Sequence, residues 1–179
     1  DVNTLNSYGR TPLNFHARNN AKVVKVLFEL GGDVARPDNY GNTPLHSAAS
    51  GYVPDNVKLL VEQGVDLNAR DNIWKRTPLE EALISCRGID IGKCALVAEI
   101  LVDAGAEVTP AVKEYVRKIG EDVEFHRGSF HPDYVDEIDT GLAKLYQLFD
   151  VEPVKARKGH DGGSPIVVEG NNWKEQFEE

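Results

Sequence analysis

The tripeptide Thr-Pro-Leu recurs along this chain of 179 residues at a nearly constant interval. It occurs at 11–13, 43–45 and 77–79, with spacings of 32 and 34 residues, and a further Thr-Pro pair follows at 109–110. A repeat of this length is typical of proteins in which small structural units stack in a row. Because one such unit cannot bury its own apolar face, the chain is expected to fold as a stack of neighbouring units.

The residues around each Thr-Pro pair predict the structure of one unit. Threonine before proline favours a helix start, because the hydroxyl accepts a hydrogen bond from a free backbone N–H and proline lacks a donor where none is needed. Glu80, three residues after Thr77, completes a capping box. Apolar residues at helical spacing predict a second helix, and Gly31, Gly64 and Gly105 follow it as helix-ending residues. Each unit is therefore predicted to be helix, turn, helix and an extended turn.

The repeat resembles the ankyrin repeat in more than its Thr-Pro-Leu. Residues 38–49 are similar to the opening of that repeat, and residues 57–71 are similar to its second half. The resemblance implies an all-α ankyrin-repeat solenoid, made of helix-turn-helix units with short hairpin turns. It places ankyrin-like repeats at 1–108, with units at 6–37, 38–71 and 72–108. It also implies that His46 is structural and hydrogen-bonds the backbone of the next unit.

The remaining sequence departs from this pattern. The third unit has about seven extra residues around 85–94, which are expected to form a loop. Residues 109–154 are expected to be a degenerate fourth repeat that acts as a C-terminal cap over Leu96, Ile100 and Leu101, with helices at 109–120 and 139–149. Residues 155–179 are predicted to be a linker and the start of a further helix. Since Asp1-Val2-Asn3 resembles the end of a repeat, the chain is expected to be a fragment of something longer.

Composition excludes some classes of function. The formal net charge is −9, and residues 77–154 hold sixteen Asp and Glu against seven Lys and Arg. Such an acidic chain is not expected to bind nucleic acid, although a basic partner stays open as an alternative to simple solubility. No apolar run is long enough to span a membrane, and the N-terminus is polar rather than signal-like. With only two cysteines, Cys86 and Cys94, the expected location is the cytoplasm, with both thiols free.

Possible catalytic and metal-binding residues do not form a recognisable site. His126, His131 and His160 could meet Asp133 or Asp136 at a metal, but their spacing does not resemble a structural zinc site. His131-Pro132-Asp133 matches the tripeptide of J-domain cochaperones in acidic, unrelated surroundings, and a turn before a helix explains it better. The chain is therefore predicted not to be an enzyme and to need no cofactor, metal or small-molecule substrate.

The resemblance implies protein–protein recognition, since ankyrin repeats usually bind on their concave face and turn tips. Matching this sequence to that pattern gives six partner-binding residues at the turn tips: Tyr8, Arg10, Tyr40, Asn42, Trp74 and Arg76. It also adds Arg18, Ser50 and Ile84 on the first helices. Three alternatives stay open: an antagonist of a toxin or enzyme, a repeat module attached to an enzyme domain outside this chain, and a purely structural spacer.

The aromatic residues at the turn tips can be interpreted in two ways. Tyr8, Tyr40 and Trp74 each lie three residues before the threonine of their unit, so the repeat is expected to place them at successive turn tips. As binding residues they would contact the partner directly, because aromatic side chains dominate interface hot spots. Alternatively, each ring packs on the neighbouring turn and only stiffens the array.

Overall fold

The computed structural model describes residues 1–155, which form α-helices and no β-strand. The helices are α1 (Pro12–Ala17), α2 (Ala21–Glu29), α3 (Pro44–Ser50), α4 (Pro54–Glu62), α5 (Pro78–Ser85), α6 (Ile91–Asp103), α7 (Pro110–His126) and α8 (Pro132–Phe149). Short 3₁₀ turns at Gly88–Asp90 and Arg127–Ser129 precede α6 and α8. The predicted all-α stack of ankyrin type is confirmed.

The helices form two parallel rows. The first helices of the units, α1, α3, α5 and α7, each pack on the next, and the second helices, α2, α4, α6 and α8, do the same. Leu13, Leu45 and Leu79, the leucines of the repeated tripeptide, are completely buried between the rows. Ala48 and Ala49 are also completely buried, so small side chains allow the first helices to lie close together.

Threonine caps the first helix of the first three units. The hydroxyls of Thr11, Thr43 and Thr77 accept hydrogen bonds from the backbone N–H three residues later, at 3.1, 3.4 and 3.3 Å. Thr109 differs, because its hydroxyl instead donates to Oε1 of Glu80 at 2.6 Å. The fourth helix start is therefore tied directly to the preceding unit.

The extra residues of the third unit are mostly helical, which corrects the expectation of a loop. The second helix in units two and three ends before an equivalent glycine, Gly64 and Gly105, and both glycines have positive φ angles. The stretch from the first residue of the helix to its glycine is about one helical turn longer in α6 than in α4. Ile91 and Cys94 in this added turn are completely buried, so apolar packing extends the helix.

The fourth unit is also more helical than its sequence predicts. The expected long connection at 121–138 is wrong, because α7 continues to His126 and α8 begins at Pro132. Val116, Ile119 and Val123 continue one buried stripe through and beyond Gly120, the expected helix end. Gly120 is tolerated in the helix because the Tyr146 hydroxyl occupies the space that a Cβ would need.

The fourth unit covers only some of the apolar side chains that it is predicted to cover. Leu101 is completely buried and Ile100 is half-buried, but Leu96 remains 44% exposed with the fourth unit in place. The expectation that Leu96 is covered is therefore wrong. The predicted linker and further helix lie outside the described residues, apart from Lys155. Within residues 1–155, no helix has the length and apolar character needed to cross a membrane.

Candidate protein-binding surface

Acidic or amide side chains build the turns that separate the units. Oδ1 of Asp38 accepts hydrogen bonds from the backbone N–H of Tyr40 and Asn42, both at 2.9 Å. Asn6 makes the equivalent bonds in the first turn and Asp71 in the third. Burial acts to raise the pKa of Asp71, but the combined hydrogen bonds from the N–H groups of Trp74, Arg76 and Ile73 lower it below its usual range. Each turn is thus held by a side chain beneath it.

Backbone hydrogen bonds join one turn to the next. The N–H of Asn39 donates to the carbonyl of Tyr8 at 3.0 Å, and that of Asn72 donates to the carbonyl of Tyr40 at 2.8 Å. Gly41, with φ at +84°, allows this approach, since a Cβ there would lie 2.7 Å from the backbone nitrogen of Asn72. The main chain therefore stacks the turns without using the aromatic side chains.

The three predicted aromatic residues lie at the turn tips with their side chains in solvent. Tyr8 is 55% exposed, Tyr40 is 42% exposed and Trp74 is 64% exposed. Among the ring pairs of residues 1–155, none joins two of these three residues. Trp74 is the most exposed of the three and lies in the turn with one additional residue, where Lys75 adopts a φ of +57° in place of the usual glycine.

Arginines lie beside two of the rings. The guanidinium carbon of Arg76 is 4.7 Å from the centre of the Trp74 ring, and that of Arg10 is 5.9 Å from the Tyr8 ring. Arg10 also pairs with Asp38 through Nε at 3.0 Å, and Arg76 pairs with Glu81 at 3.3 Å. These ion pairs fix the arginine stems, and the bond of Arg10 through Nε leaves the outer edge of its guanidinium available.

The remaining predicted residues lie between the tips and the first helices. Asn42 is half-buried and lines a small hollow of about 80 Å³, together with Arg18, Ser50, His46 and Glu81. Ile84 is half-buried on α5 and does not line this hollow. We call Tyr8, Arg10, Tyr40, Asn42, Trp74 and Arg76 the turn-tip surface.

Two exposed apolar side chains that the repeat pattern does not predict lie near the turn tips. Phe15 is 52% exposed and occupies the position of Ser47 in the next unit, four residues after the threonine. Ile73 is 53% exposed and directly precedes Trp74. Aligning the units would have identified Phe15, since a phenylalanine at a position that is polar in units two and three has no core to fill.

A row of hydrogen bonds beneath the turn-tip surface holds consecutive units in register. The side chain three residues after each threonine bonds to the next unit: Asn14 Nδ2 donates to the Asn42 carbonyl at 2.8 Å, and His46 Nε2 lies 3.1 Å from the Arg76 carbonyl. In the third unit, Glu80 fills this position and accepts from Thr109. The predicted structural role of His46 is confirmed.

The tautomer of His46 follows from its partners. Nδ1 lies 3.2 Å from the backbone N–H of Thr43, which can only donate, so Nδ1 must accept and Nε2 must carry the proton. A charged imidazole would have no acceptor for the Thr43 N–H. Burial lowers the pKa of His46 and outweighs the raising effect of the Arg76 carbonyl.

The other residues considered for chemistry have structural environments. Cys86 and Cys94 are free thiols, both completely buried, and a hydrogen bond with Cys86 and burial raise the pKa of Cys94 well above its usual range. His131 caps the start of α8, as expected for a turn before a helix. Within residues 1–155, no group of three or more His, Cys, Asp or Glu side chains is arranged to hold a metal ion, and His160 lies outside this range.

Comparison with known proteins agrees with this architecture. The family model described as ankyrin repeats (3 copies) matches residues 1–71. An ankyrin repeat protein of fowlpox virus is 45% identical over 62 residues, which is 34% of this chain and 12% of the viral protein. An ankyrin repeat protein of Rickettsia bellii is 46% identical over 59 residues, which is 32% of this chain and 25% of that protein.

The longest of these matches is to a channel protein. The transient receptor potential channel pyrexia of Drosophila melanogaster is 38% identical over 115 residues, which is 63% of this chain and 11% of the channel. The chain thus spans between about a tenth and a quarter of the length of these three relatives.

Proposed function

We propose that this chain, whose residues 1–71 match the ankyrin-repeat family model, binds another protein through the turn-tip surface without catalysing a reaction. Ankyrin repeats generally mediate protein–protein interaction and are a non-catalytic fold. The observation that supports this surface most strongly is the exposure of Tyr8, Tyr40 and Trp74 on turns that the backbone already stacks. Because the rings are not needed to hold the turns together, a role in folding does not explain them.

The chemistry of the surface suits a protein partner. Large aromatic rings bury much apolar area and lose little conformational entropy on binding, and arginine supplies several donors in a fixed plane. Trp74 with Arg76 and Tyr8 with Arg10 combine both properties at either end of the row, with Tyr40 between them. The surface is therefore expected to contact a partner segment that offers apolar side chains together with carbonyl or carboxylate acceptors.

Alanine substitution of the rings tests this function. We expect Tyr8→Ala, Tyr40→Ala and Trp74→Ala to change the free energy of unfolding by no more than about 0.5 kcal/mol each, as is usual for exposed positions. A partner should first be captured from cell extract with the wild-type chain and identified by mass spectrometry. Its affinity should then fall by about 30-fold for at least one of the three variants, which corresponds to a loss of about 2 kcal/mol at a hot spot.

Phe125→Ala is the control, because Phe125 is an aromatic residue as exposed as Trp74, at 65%, and lies far along the chain on α7. This variant should bind the partner as the wild type does. If the three turn-tip variants lose stability but keep their affinity for the partner, the rings are structural and the proposed surface is wrong.

A further inference from the structure

A second groove lies at the edge of the molecule where the first and second helices connect. It arises because the second helices have unequal lengths. Helix α6 has about one more turn at its N-terminal end than α4, which starts at Pro54. Lys93 and Leu96 of α6 line one hollow together with the short connection of the second unit, residues 51–53, and form a wall beside it. The resulting hollow is open to solvent and has a volume of about 710 Å³.

This hollow has fixed walls. The first turn of α6 is held against α8, where Gly92 and Gly141 meet so closely that a Cβ on Gly141 would lie 2.8 Å from the Gly92 backbone. Ile91 and Cys94, which belong to the same turn, are completely buried. Lys93 and Leu96 are the residues of this helix that remain exposed and line the hollow. The wall is therefore set by packing before any ligand binds.

The floor is also held in place. Tyr52 adopts a left-handed φ of +53°, and its hydroxyl donates to the Ala82 carbonyl at 3.2 Å. Gly51 lies against the carbonyl of Arg18, so the connections of units one and two touch. Val53 and Pro54 complete a half-buried apolar floor. We call the surface formed by Arg18, Tyr52, Val53, Pro54, Lys93 and Leu96 the loop-edge groove.

The residues that line the groove carry a net positive charge, whereas the whole chain has a net negative charge. Arg18 and Lys93 both line the hollow, and neither has an ion pair among the described residues, although Lys93 also lines a neighbouring hollow with Asp136 and Glu137. Asp55 is the acidic residue of the lining. Two cations without ion pairs, against one acidic residue in the lining, make this groove complementary to an acidic ligand on a protein with a net charge of −9.

We propose that the loop-edge groove binds a short acidic segment of a partner protein. Its carboxylates lie between Arg18 and Lys93, and an apolar side chain of the segment packs on Leu96 and Pro54. Leu96, at 44% exposed, is then the apolar contact that the fourth unit leaves uncovered. Apart from Arg18, which reaches towards both surfaces, this groove is separate from the turn-tip surface and binds independently of it.

A labelled acidic peptide tests the proposal on the full chain. The probe is a fluorescein-labelled hexapeptide of sequence Glu-Leu-Glu-Glu-Leu-Glu, and the reference peptide carries lysine in place of each glutamate. Fluorescence anisotropy should show saturable binding of the acidic peptide and none of the basic one. We expect the double variant Arg18→Glu, Lys93→Glu to bind the acidic peptide at least tenfold more weakly, and Leu96→Ser to bind it several-fold more weakly.

The control variant, Lys25→Glu with Lys58→Glu, makes the same change in net charge at two exposed lysines that do not line the groove. It should bind the acidic peptide as the wild type does, and so should Tyr40→Ala, which tests the turn-tip surface. No saturable binding, an equal loss in the control variant, or a loss in Tyr40→Ala would overturn the proposal. Self-association of the unliganded chain that Leu96→Ser abolishes, measured by analytical ultracentrifugation, would place a second copy in the groove and would also overturn the proposal.

Discussion

At the scale of single residues, one position of the repeat makes the same link between units with three different side chains. Asn14 and His46 each lie within hydrogen-bonding distance of a backbone carbonyl of the next unit, whereas Glu80 accepts from the hydroxyl of Thr109. The direction of the hydrogen bond is reversed at Glu80 because a carboxylate cannot donate and needs a donor opposite it. The hydroxyl of Thr109 supplies that donor at 2.6 Å.

His46 predicts how stability depends on pH. Because burial lowers its pKa in the folded state, the unfolded chain takes up a proton first as the pH falls. The contribution of His46 to stability is therefore fully present above a pH of about 6.5, the ordinary histidine value, and is lost as the pH falls below it. Urea unfolding at several pH values should show this decrease in the free energy of unfolding for the wild type.

The variant His46→Gln separates this effect from other titrations. Glutamine offers both an acceptor and a donor but does not titrate, so the decrease in stability below pH 6.5 should be smaller than in the wild type. His126→Gln removes an exposed histidine of α7 as a control. Equal pH dependence in the wild type and His46→Gln would contradict the assigned role of His46.

At the scale of helices, the sequence predicted the elements that follow the repeat and missed those that depend on distant contacts. The Thr-Pro pairs and the glycines define units one and two. The extra turn of α6 could not be predicted, because it depends on Gly92 meeting Gly141 about 50 residues away. The extension of α7 through Gly120 depends in the same way on the position of Tyr146.

The contact between α6 and α8 predicts the effect of one added methyl group. In an isolated helix, Gly141→Ala would be favourable by roughly 1 kcal/mol. In this structure the Cβ would lie 2.8 Å from backbone atoms of Gly92, which cannot move as a side chain can. We expect the clash to outweigh the helix preference and to destabilise the protein by about 1–3 kcal/mol, measured by urea unfolding.

Gly128→Ala is the matched control, because a Cβ at Gly128 has no heavy atom within 4 Å. It should change the free energy of unfolding by less than about 0.5 kcal/mol. A Gly141→Ala variant as stable as the wild type would mean that the two helices are not in close contact.

At the scale of the whole molecule, the candidate binding residues were easier to predict than their surroundings. The repeat places Tyr8, Tyr40 and Trp74 at equivalent positions, and all three are exposed at the turn tips. An average repeat pattern does not predict features that depend on how the units differ. These features are the arginine contacts, the loop-edge groove and the exposed Phe15. Whether 109–154 functions as a cap stays a prediction, although α7 and α8 continue both rows of helices.

The central claim is that a partner protein covers the turn tips, and the fluorescence of Trp74 tests it most directly. The chain has two tryptophans, so Trp173→Phe leaves Trp74 as the sole tryptophan, which can be excited selectively. Quenching of its emission by acrylamide should be efficient in the free chain, since Trp74 is 64% exposed. With the captured partner at saturating concentration, we predict that Trp74 becomes strongly protected from the quencher. Quenching of Trp74 that is unchanged when the partner is fully bound would contradict the claim.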